Sequence, residues 1–574
     1  MEEGAAAHPG RNEVLVDGLT FSSNFDSGNL LSVDRGRALD AGRCEYVVTA
    51  APDASKPDTP PEAQITPTTW FHFSISGAVA GQEIALQIVN LIKHTALYDQ
   101  DTRPVVRSLP SQKKWERLRQ GVTYQADRQT NEFSIRFTYT VAVAGETVFF
   151  AFCYPYSYTD GQRMLRRLDQ DFARRERTAS SMYYHRETLV HSLDGRKVDL
   201  LTISSYDNIL DNREETIPGL FPDHPHTPRP FQFQNKRVIF LTSRVHPAET
   251  PSSFVLDGAL SFLLKRDDPR AYKLLKECVF KVIPMLNPDG VARGHYRLDS
   301  LGANLNRHYI SPTMDKHPTI FAAKAAILAT CHTMSKLALH VDLHAHAAKR
   351  GCFIYGNRYA TATEQALSQV YPKLIGLNSV HFEYDQCNFT EQNMHLVEKR
   401  DHGLSKDGCA RVALHRETSG IPVYFYTLEC NFNMGRRPGS IPHSGSGLMS
   451  TAPLSPEVTR KAYVPKYTTA SWEDVGKGMM VAVLDWLGTN EWSRIPHSQW
   501  RTMTGFIQDI KNQVAPSFDQ HKETNKSSVK KNKQQEKLEK KRYGCVGLPP
   551  ATKTTPRSSS RTSTRSSNNN NAAF

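Results

Sequence analysis

The sequence predicts an all-β antiparallel sandwich followed by an α/β domain whose mixed, largely parallel sheet carries flanking helices. Three observations lead there. Between Val14 and Tyr158, short apolar runs repeat with a period of two between Gly, Pro and Asp clusters, the pattern of half-buried strands joined by turns. After Tyr158, strand-like runs alternate with runs of helical apolar spacing, which indicates a sheet crossed by helices. At 574 residues the chain exceeds what one ordinary core fills, so two domains with tails are expected.

Taken in order, residues 1–12 read as a disordered N-terminus. The sandwich, residues 13–157, is built from GLTFSSNFDSGNL, EYVVTA, TWFHFSISG, EIALQIVN, EFSIRFTYTVA and ETVFFAFCYPY. Phe73 and Ile75 alternate with Ser74 and Ser76, and Phe133, Ile135 and Phe137 with polar neighbours, so each strand shows one apolar face. The Pro-rich stretch from Ala51 to Pro67 is a loop inside this domain. In the α/β domain, residues 158–512, RMLRRLDQDFARR reads as a helix, and KVDLLTISS and RVIFLTS read as strands. A helix SSFVLDGALSFLLKR, a strand CVFKVIPMLN, a helix FAAKAAILATCHTMSKL and a strand LALHVDLHAH follow. Then come the strand GCFIYGN, a helical EQALSQVYPKLIGLN and a closing amphipathic helix at GKGMMVAVLDWLG. Residues 513–574 turn Lys-rich, then Ser/Thr/Arg-rich, then to an Asn run, the composition of a disordered basic tail.

Composition narrows the classes of function. With 39% hydrophobic and 22% charged residues, the chain belongs with globular proteins rather than disordered ones. It shows no basic start followed by an apolar run and no apolar stretch of about 18–20 residues, so neither secretion nor a membrane span is expected. Nine scattered cysteines without a CxxC pair suit reduced thiols in a cytosolic or nuclear setting. Of the net charge of +13, the stretch from His521 to Phe574 carries +10, thirteen Lys/Arg against three Asp/Glu. The folded part is therefore nearly neutral, which argues against a nucleic-acid surface there. The tail suits an acidic surface instead. A monomer is expected.

The chemistry begins at VIFLTSRVHPAET, where a buried strand delivers His246 and Glu249 to its carboxyl end. Imidazole and carboxylate are both good Zn²⁺ ligands, and a catalytic zinc usually keeps three protein ligands and one open position. One HxxE is weak evidence by itself. In an open parallel sheet, however, ligands gather at the carboxyl ends of strands, and three more strand ends are polar. They are Asn287, Asp289 and Gly290 in PMLNPDG, Asp342, His344 and His346 in LALHVDLHAH, and Glu429 in VYFYTLE. His344 is the natural third ligand. His346 is expected to line the site, and Asp342 is either a partner behind a ligand or an ordinary strand-end acid.

HPAETPSS, NPDGVARGHYR, GANLNR, DLHAH and YTLECNFN together resemble the cytosolic carboxypeptidase branch of the zinc carboxypeptidases, over about residues 15–500. The resemblance implies a zinc-carboxypeptidase catalytic domain behind an N-terminal β-domain, with one Zn²⁺ per chain held by His246, Glu249 and His344. It assigns Arg297 to polarising the scissile carbonyl, Asn306 and Arg307 to holding the substrate's terminal carboxylate, and Glu429 to the general base. It also implies removal of glutamates, branch-point glutamate included, from polyglutamylated proteins such as tubulin. Acidic protein C-terminal tails are thus the expected partners, and nucleic acid is not.

Lys349, Arg350 and Arg416 are candidates for a basic pocket that receives the acidic side chain. Two departures from the family pattern stand out. Ala248 and Ala345 replace the usual Gly, which removes no chemistry where the backbone is ordinary. Where relatives often carry a tyrosine that caps the bound carboxylate, VALHRETSG offers His415 or Arg416, with Tyr424 and Tyr426 close in sequence. Two other readings compete: a zinc amidohydrolase of small acidic N-acyl amino acids, and an inactive microtubule-binding pseudoenzyme. The β-domain speaks against the first, and the intact set His246, Glu249, His344, Arg297 and Glu429 against the second.

Overall fold

The computed structural model describes residues 11–39, 44–54, 68–127, 129–130, 132–174, 182–398, 401, 403–436, 441–442, 464 and 466–518. Of the expected disordered N-terminus 1–12, residues 1–10 lie outside the described residues, as do the tail beyond 518 and most of the Pro-rich loop. Asn12, by contrast, is held by hydrogen bonds to Ser23 Oγ at 3.0 Å and the Leu31 carbonyl at 2.7 Å. Residues 503–518 are helical, so the expected start of the tail at 513 falls inside a helix.

Residues 13–151 form two sheets. The six-stranded one runs Glu13–Val16, Leu19–Ser22, His72–Ser76, Thr147–Ala151, Val105–Leu109, Gln112–Arg117. The five-stranded one runs Ser32–Ala38, Cys44–Thr49, Glu83–Val89, Phe133–Thr140, Thr123–Ala126. Pairing is antiparallel throughout, except between Cys44–Thr49 and Glu83–Val89, which run parallel. Aromatic side chains join the two sheets face to face. Phe21 meets Tyr46 at 5.4 Å, and Phe150 meets Phe137 at 5.8 Å and Tyr139 at 5.3 Å, spacings at which ring edges and faces attract.

Beyond Tyr158 lies a seven-stranded sheet in the order Met182–His191, Lys197–Ser205, Cys278–Ile283, Arg237–Ser243, Leu337–His346, Tyr424–Asn431, Cys352–Tyr355. The four strands from Cys278–Ile283 to Tyr424–Asn431 run parallel, while both margins are antiparallel. The central strands are buried along almost their whole length because both faces are covered. Val238 and Phe240 pack with Ile320 and Ile327 of helix Pro318–Ala329 and with Leu414 of helix Ala410–Glu417. Ile239 and Leu241 point the other way and are equally buried. All four parallel strands therefore open their carboxyl ends at one edge of the sheet.

Helices Pro251–Leu263 and Thr469–Leu487 cross at two glycines. A Cβ on Gly258 would lie 2.0 Å from the Glu473 carbonyl oxygen, and one on Gly476 would lie 1.9 Å from that of Val255. Only hydrogen fits at either position. The second helix also carries Asp474, which is 4% exposed and accepts a hydrogen bond from Ser379 Oγ at 2.6 Å. Burial pushes its carboxyl up to about 6. A folded-state pKa above the unfolded value of 3.8 gives stability that is present below that value and lost as pH rises through about 6. Asp474→Asn keeps the acceptor and removes the charge. It is expected to match the wild type near pH 4 and to exceed it by about 1–3 kcal/mol at pH 8. Melting curves that stay parallel from pH 4 to pH 8 would contradict this.

Candidate active site

His246 and Glu249 follow the strand Arg237–Ser243. The chain turns there at Arg244, which is buried with a left-handed φ of 58°. The Arg244 side chain reaches forward, its Nε donating to the Pro247 carbonyl at 3.1 Å. Helix Pro251–Leu263 then starts with Pro at its first turn, and Ser252 Oγ donates to the Glu249 carbonyl at 2.6 Å. His344 lies near the end of Leu337–His346, and the parallel register sets it beside Glu429 of Tyr424–Asn431. Ligating atoms of His246, Glu249 and His344 all fall within 4.8 Å of one another, and all three residues are buried.

Hydrogen bonds outside this cluster orient both imidazoles. His344 Nε2 donates to Asp342 Oδ2 at 2.8 Å, and the other oxygen of Asp342 accepts from Thr242 Oγ1 at 2.7 Å. His246 Nε2 donates to Asn304 Oδ1 at 3.0 Å, while the Asn304 amide donates to Asp401 at 2.8 Å. Both Nδ1 atoms therefore face inward, at 2.8 and 2.9 Å from the two oxygens of Glu249. A carboxylate this close to two imidazole nitrogens calls for positive charge between them, supplied by a proton on the ring or by a metal ion. Burial opposes a charged His344, yet Asp342 and Glu249 hold its pKa well above the ordinary value. Burial likewise opposes an ionised Glu249, but His246 and His344 hold it well below the carboxylate range. Two imidazole nitrogens and a carboxylate, each oriented by an outer partner, fit Zn²⁺.

A cavity of about 180 Å³ opens beside the cluster. Its wall includes Arg297, Asn306, Arg307 and Glu429, so the structure brings these four and the three expected metal ligands to one place. Arg307 donates to Asp401 at 2.6 Å and Arg297 to the same carboxylate at 3.4 Å. Among the described residues, Arg307 keeps a buried Nε without a partner. Asn306 lies on the short turn Leu305–Arg307, with its Nδ2 3.3 Å from His344 Nε2 and its Oδ1 accepting from the Ala410 amide. Glu429 keeps access through the cavity, but burial pushes its carboxyl up to about 8; Glu249 adds to this, while His344, Lys406 and Arg297 oppose it. A carboxyl poised near neutrality can take up and return a proton.

Other residues fall differently. His346 lines the cavity as expected, and Asp342 is the partner behind His344. Asn287 instead caps helix Pro288–Arg293 through the Gly290 amide, and Asp289 pairs with Arg196 at 2.8 Å, so neither belongs to the site. Lys349, Arg350 and Arg416 are not among the cavity-wall residues. Lys349 lies over the Phe353 ring at 4.3 Å, and Arg416 pairs with Asp407 at 2.5 Å. The cations of the wall are Arg411 and Lys406 together with Arg297 and Arg307. Arg411 also keeps a buried Nε without a partner among the described residues. It was missed because it sits inside a helix with no local pattern to mark it. His415 packs on Tyr359 at 5.0 Å, and the Tyr426 hydroxyl donates to Ser368; the tyrosines of the wall are Tyr296 and Tyr355. Ala248 and Ala345 both avoid the left-handed region, and the Ala345 amide donates to Glu249 Oε2 at 2.9 Å, so the extra methyls leave the ligand geometry intact.

The chain is similar to known proteins. The zinc carboxypeptidase family matches residues 170–333, and the cytosolic carboxypeptidase N-terminal domain matches residues 21–153. Cytosolic carboxypeptidase-like protein 5 of Mus musculus is 40% identical over 86% of this chain and 66% of its own length. This chain thus spans just under two thirds of that relative. The protein of the same name from Rattus norvegicus is 39% identical, with 86% of this chain and 71% of its own length covered. A solved metallo-carboxypeptidase from Burkholderia cenocepacia covers 82% of this chain and 99% of its own, with a TM-score of 0.56 at 18% identity, which establishes a common fold.

Proposed function

The chain belongs to the cytosolic carboxypeptidases, a branch of the zinc carboxypeptidases, and we propose that it removes C-terminal and branch-point glutamates from polyglutamylated proteins such as tubulin. The observation that carries this is one cavity whose wall holds the His246–Glu249–His344 cluster together with Asn306, Arg307, Glu429 and the cations Arg297, Arg411 and Lys406. Bound Zn²⁺ supplies a Lewis acid and lowers the pKa of water towards ~7. Arg307 and Asn306 hold the substrate's terminal carboxylate, for which the guanidinium fork is suited. That anchor makes the enzyme an exopeptidase. Arg297 stabilises the negative charge that develops on the carbonyl oxygen. Glu429 takes the proton of the attacking water and passes it to the leaving nitrogen. Arg411 and Lys406 give the acidic side chain its counter-charges.

We place the β-domain at residues 13–157 and the catalytic domain at residues 158–512. The first supplies His94 to the cavity wall. The relatives are named cytosolic, and among the described residues no helix is long and apolar enough to cross a membrane; action in the cytoplasm and on microtubules is part of the proposal. The basic tail would then raise the local concentration of acidic tubulin tails.

Zinc-loaded protein incubated with polyglutamylated tubulin is expected to release free glutamate. Microtubule binding without any release would refute the proposal in favour of a pseudoenzyme. Arg411→Gln is expected to lower kcat/KM on glutamate-ended peptides about 10–100-fold, the value of one charge-assisted contact of about 1.5–3 kcal/mol. Alanine-ended peptides should change little. Equal losses on both peptides would remove Arg411 from side-chain recognition.

A further inference from the structure

We propose that Asp53, in the β-domain, is a positioning residue that sets Arg297 against the scissile carbonyl, an inference resting on the carbonyl-polarising role given to Arg297. Asp53 is 3% exposed, and its carboxylate accepts from three consecutive backbone amides. Tyr296 donates to Oδ1 at 2.6 Å, and Arg297 and Leu298 donate to Oδ2 at 2.7 and 2.8 Å. Residues 295–299 are neither helix nor strand, so no ladder holds these amides. The carboxylate does it in their place. Burial pushes Asp53 up to about 6 while the three amides pull it down, so the ionised form, which accepts all three bonds, prevails at neutral pH.

The contact reaches the chemistry in both directions. The Arg297 side chain enters the cavity wall. The Tyr296 carbonyl accepts from the Ala248 amide at 3.1 Å, inside the loop that carries His246 and Glu249. On the other side, Asp53 is itself anchored. Asn29 exchanges two hydrogen bonds with Ala51, at 2.7 and 2.9 Å, and its amide also donates to the Gly294 carbonyl at 2.9 Å. Gly294, at a φ of 71°, lies so close that a Cβ would approach the Gly28 carbonyl oxygen to 2.3 Å. A tight junction of this kind transmits position, and errors of about 1 Å at a catalytic group cost about a hundredfold in rate. The β-domain thereby becomes part of the catalytic apparatus, because the backbone of Arg297 is held by a residue outside the catalytic domain.

The test compares Asp53→Asn, Arg297→Ala and the double variant on a glutamate-ended peptide, with zinc content and melting temperature measured alongside. Asn offers one acceptor oxygen and turns an NH₂ towards amide donors. The expected result is a kcat at least tenfold lower for Asp53→Asn, with KM within twofold and zinc at one per chain. In the Arg297→Ala background the same change should cost less than twofold further. An unchanged kcat, an equal fractional loss in both backgrounds, or a loss that merely follows lost zinc would each overturn the proposal. Should the variant fail to fold, amide exchange on the wild type decides. Slow, concerted exchange at Tyr296, Arg297 and Leu298 supports the carboxylate grip, and fast independent exchange refutes it. A wild type that releases no glutamate refutes the proposed function instead, and leaves this exchange result standing.

Discussion

Glu429→Gln is expected to reduce kcat for glutamate release by about 10²–10⁴-fold, the range a positioned general base contributes, with zinc still at one per chain. The amide nearly matches the carboxylate in size, so the cavity keeps its shape. It can neither accept the proton of water nor return one to the leaving nitrogen. Glu429 stands beside His344 in the register of two parallel strands, so its position is fixed by the sheet and does not depend on the substituted group. KM should therefore stay near the wild-type value, because the proposed carboxylate anchor at Arg307 and Asn306 is untouched. Wild-type turnover in Glu429→Gln would show that another group carries the proton.

His344→Ala should abolish bound zinc and turnover together. Loss of an outer partner alone typically costs 10–100-fold in metal affinity, and loss of a ligand must cost more. The change also strands Asp342, which is fully buried and spends one oxygen on His344. An unpaired buried carboxylate destabilises the fold by several kcal/mol, so a lower melting temperature should accompany the lost metal. Asp342→Asn makes the graded comparison, with weakened but measurable zinc. Stoichiometric zinc in His344→Ala, measured by elemental analysis, would show that the third ligand lies elsewhere.

The metal cluster was legible because strands concentrate polar residues at their carboxyl ends. His246, Glu249, His344 and Glu429 each close an apolar run, and the structure gathers them at one edge of the sheet. The same rule misled at Asn287 and Asp289. A strand end followed by a helix also needs a cap, and Asn287 serves as one. One antiparallel edge strand escaped notice for a different reason. Met182–His191 reads MYYHRETLVH, too polar to stand out, although Asp194-Gly195 just after it is a standard hairpin signal. Gln112–Arg117, QKKWER, was hidden by the same polarity. Arg411 and Asp53 could not be read at all. The first faces the cavity from a helix with no distinctive pattern, and the second meets its partners 243 to 245 residues further along the chain. Contacts of that span leave no local trace. The basic pocket was sought at Lys349 and Arg350 next to DLHAH and at Arg416, whereas the cavity wall takes Lys406 and, from the same helix as Arg416, Arg411.

We propose that one cavity couples a zinc site to a carboxylate anchor for terminal glutamate. Mass spectrometry of a glutamate-tailed peptide, offered with a free C-terminal carboxylate and as its C-terminal amide, tests this most directly. Stepwise loss of glutamate from the free acid, with the amide left intact, is the predicted result. Equal cleavage of both peptides, or cleavage of neither by zinc-loaded protein, would contradict it.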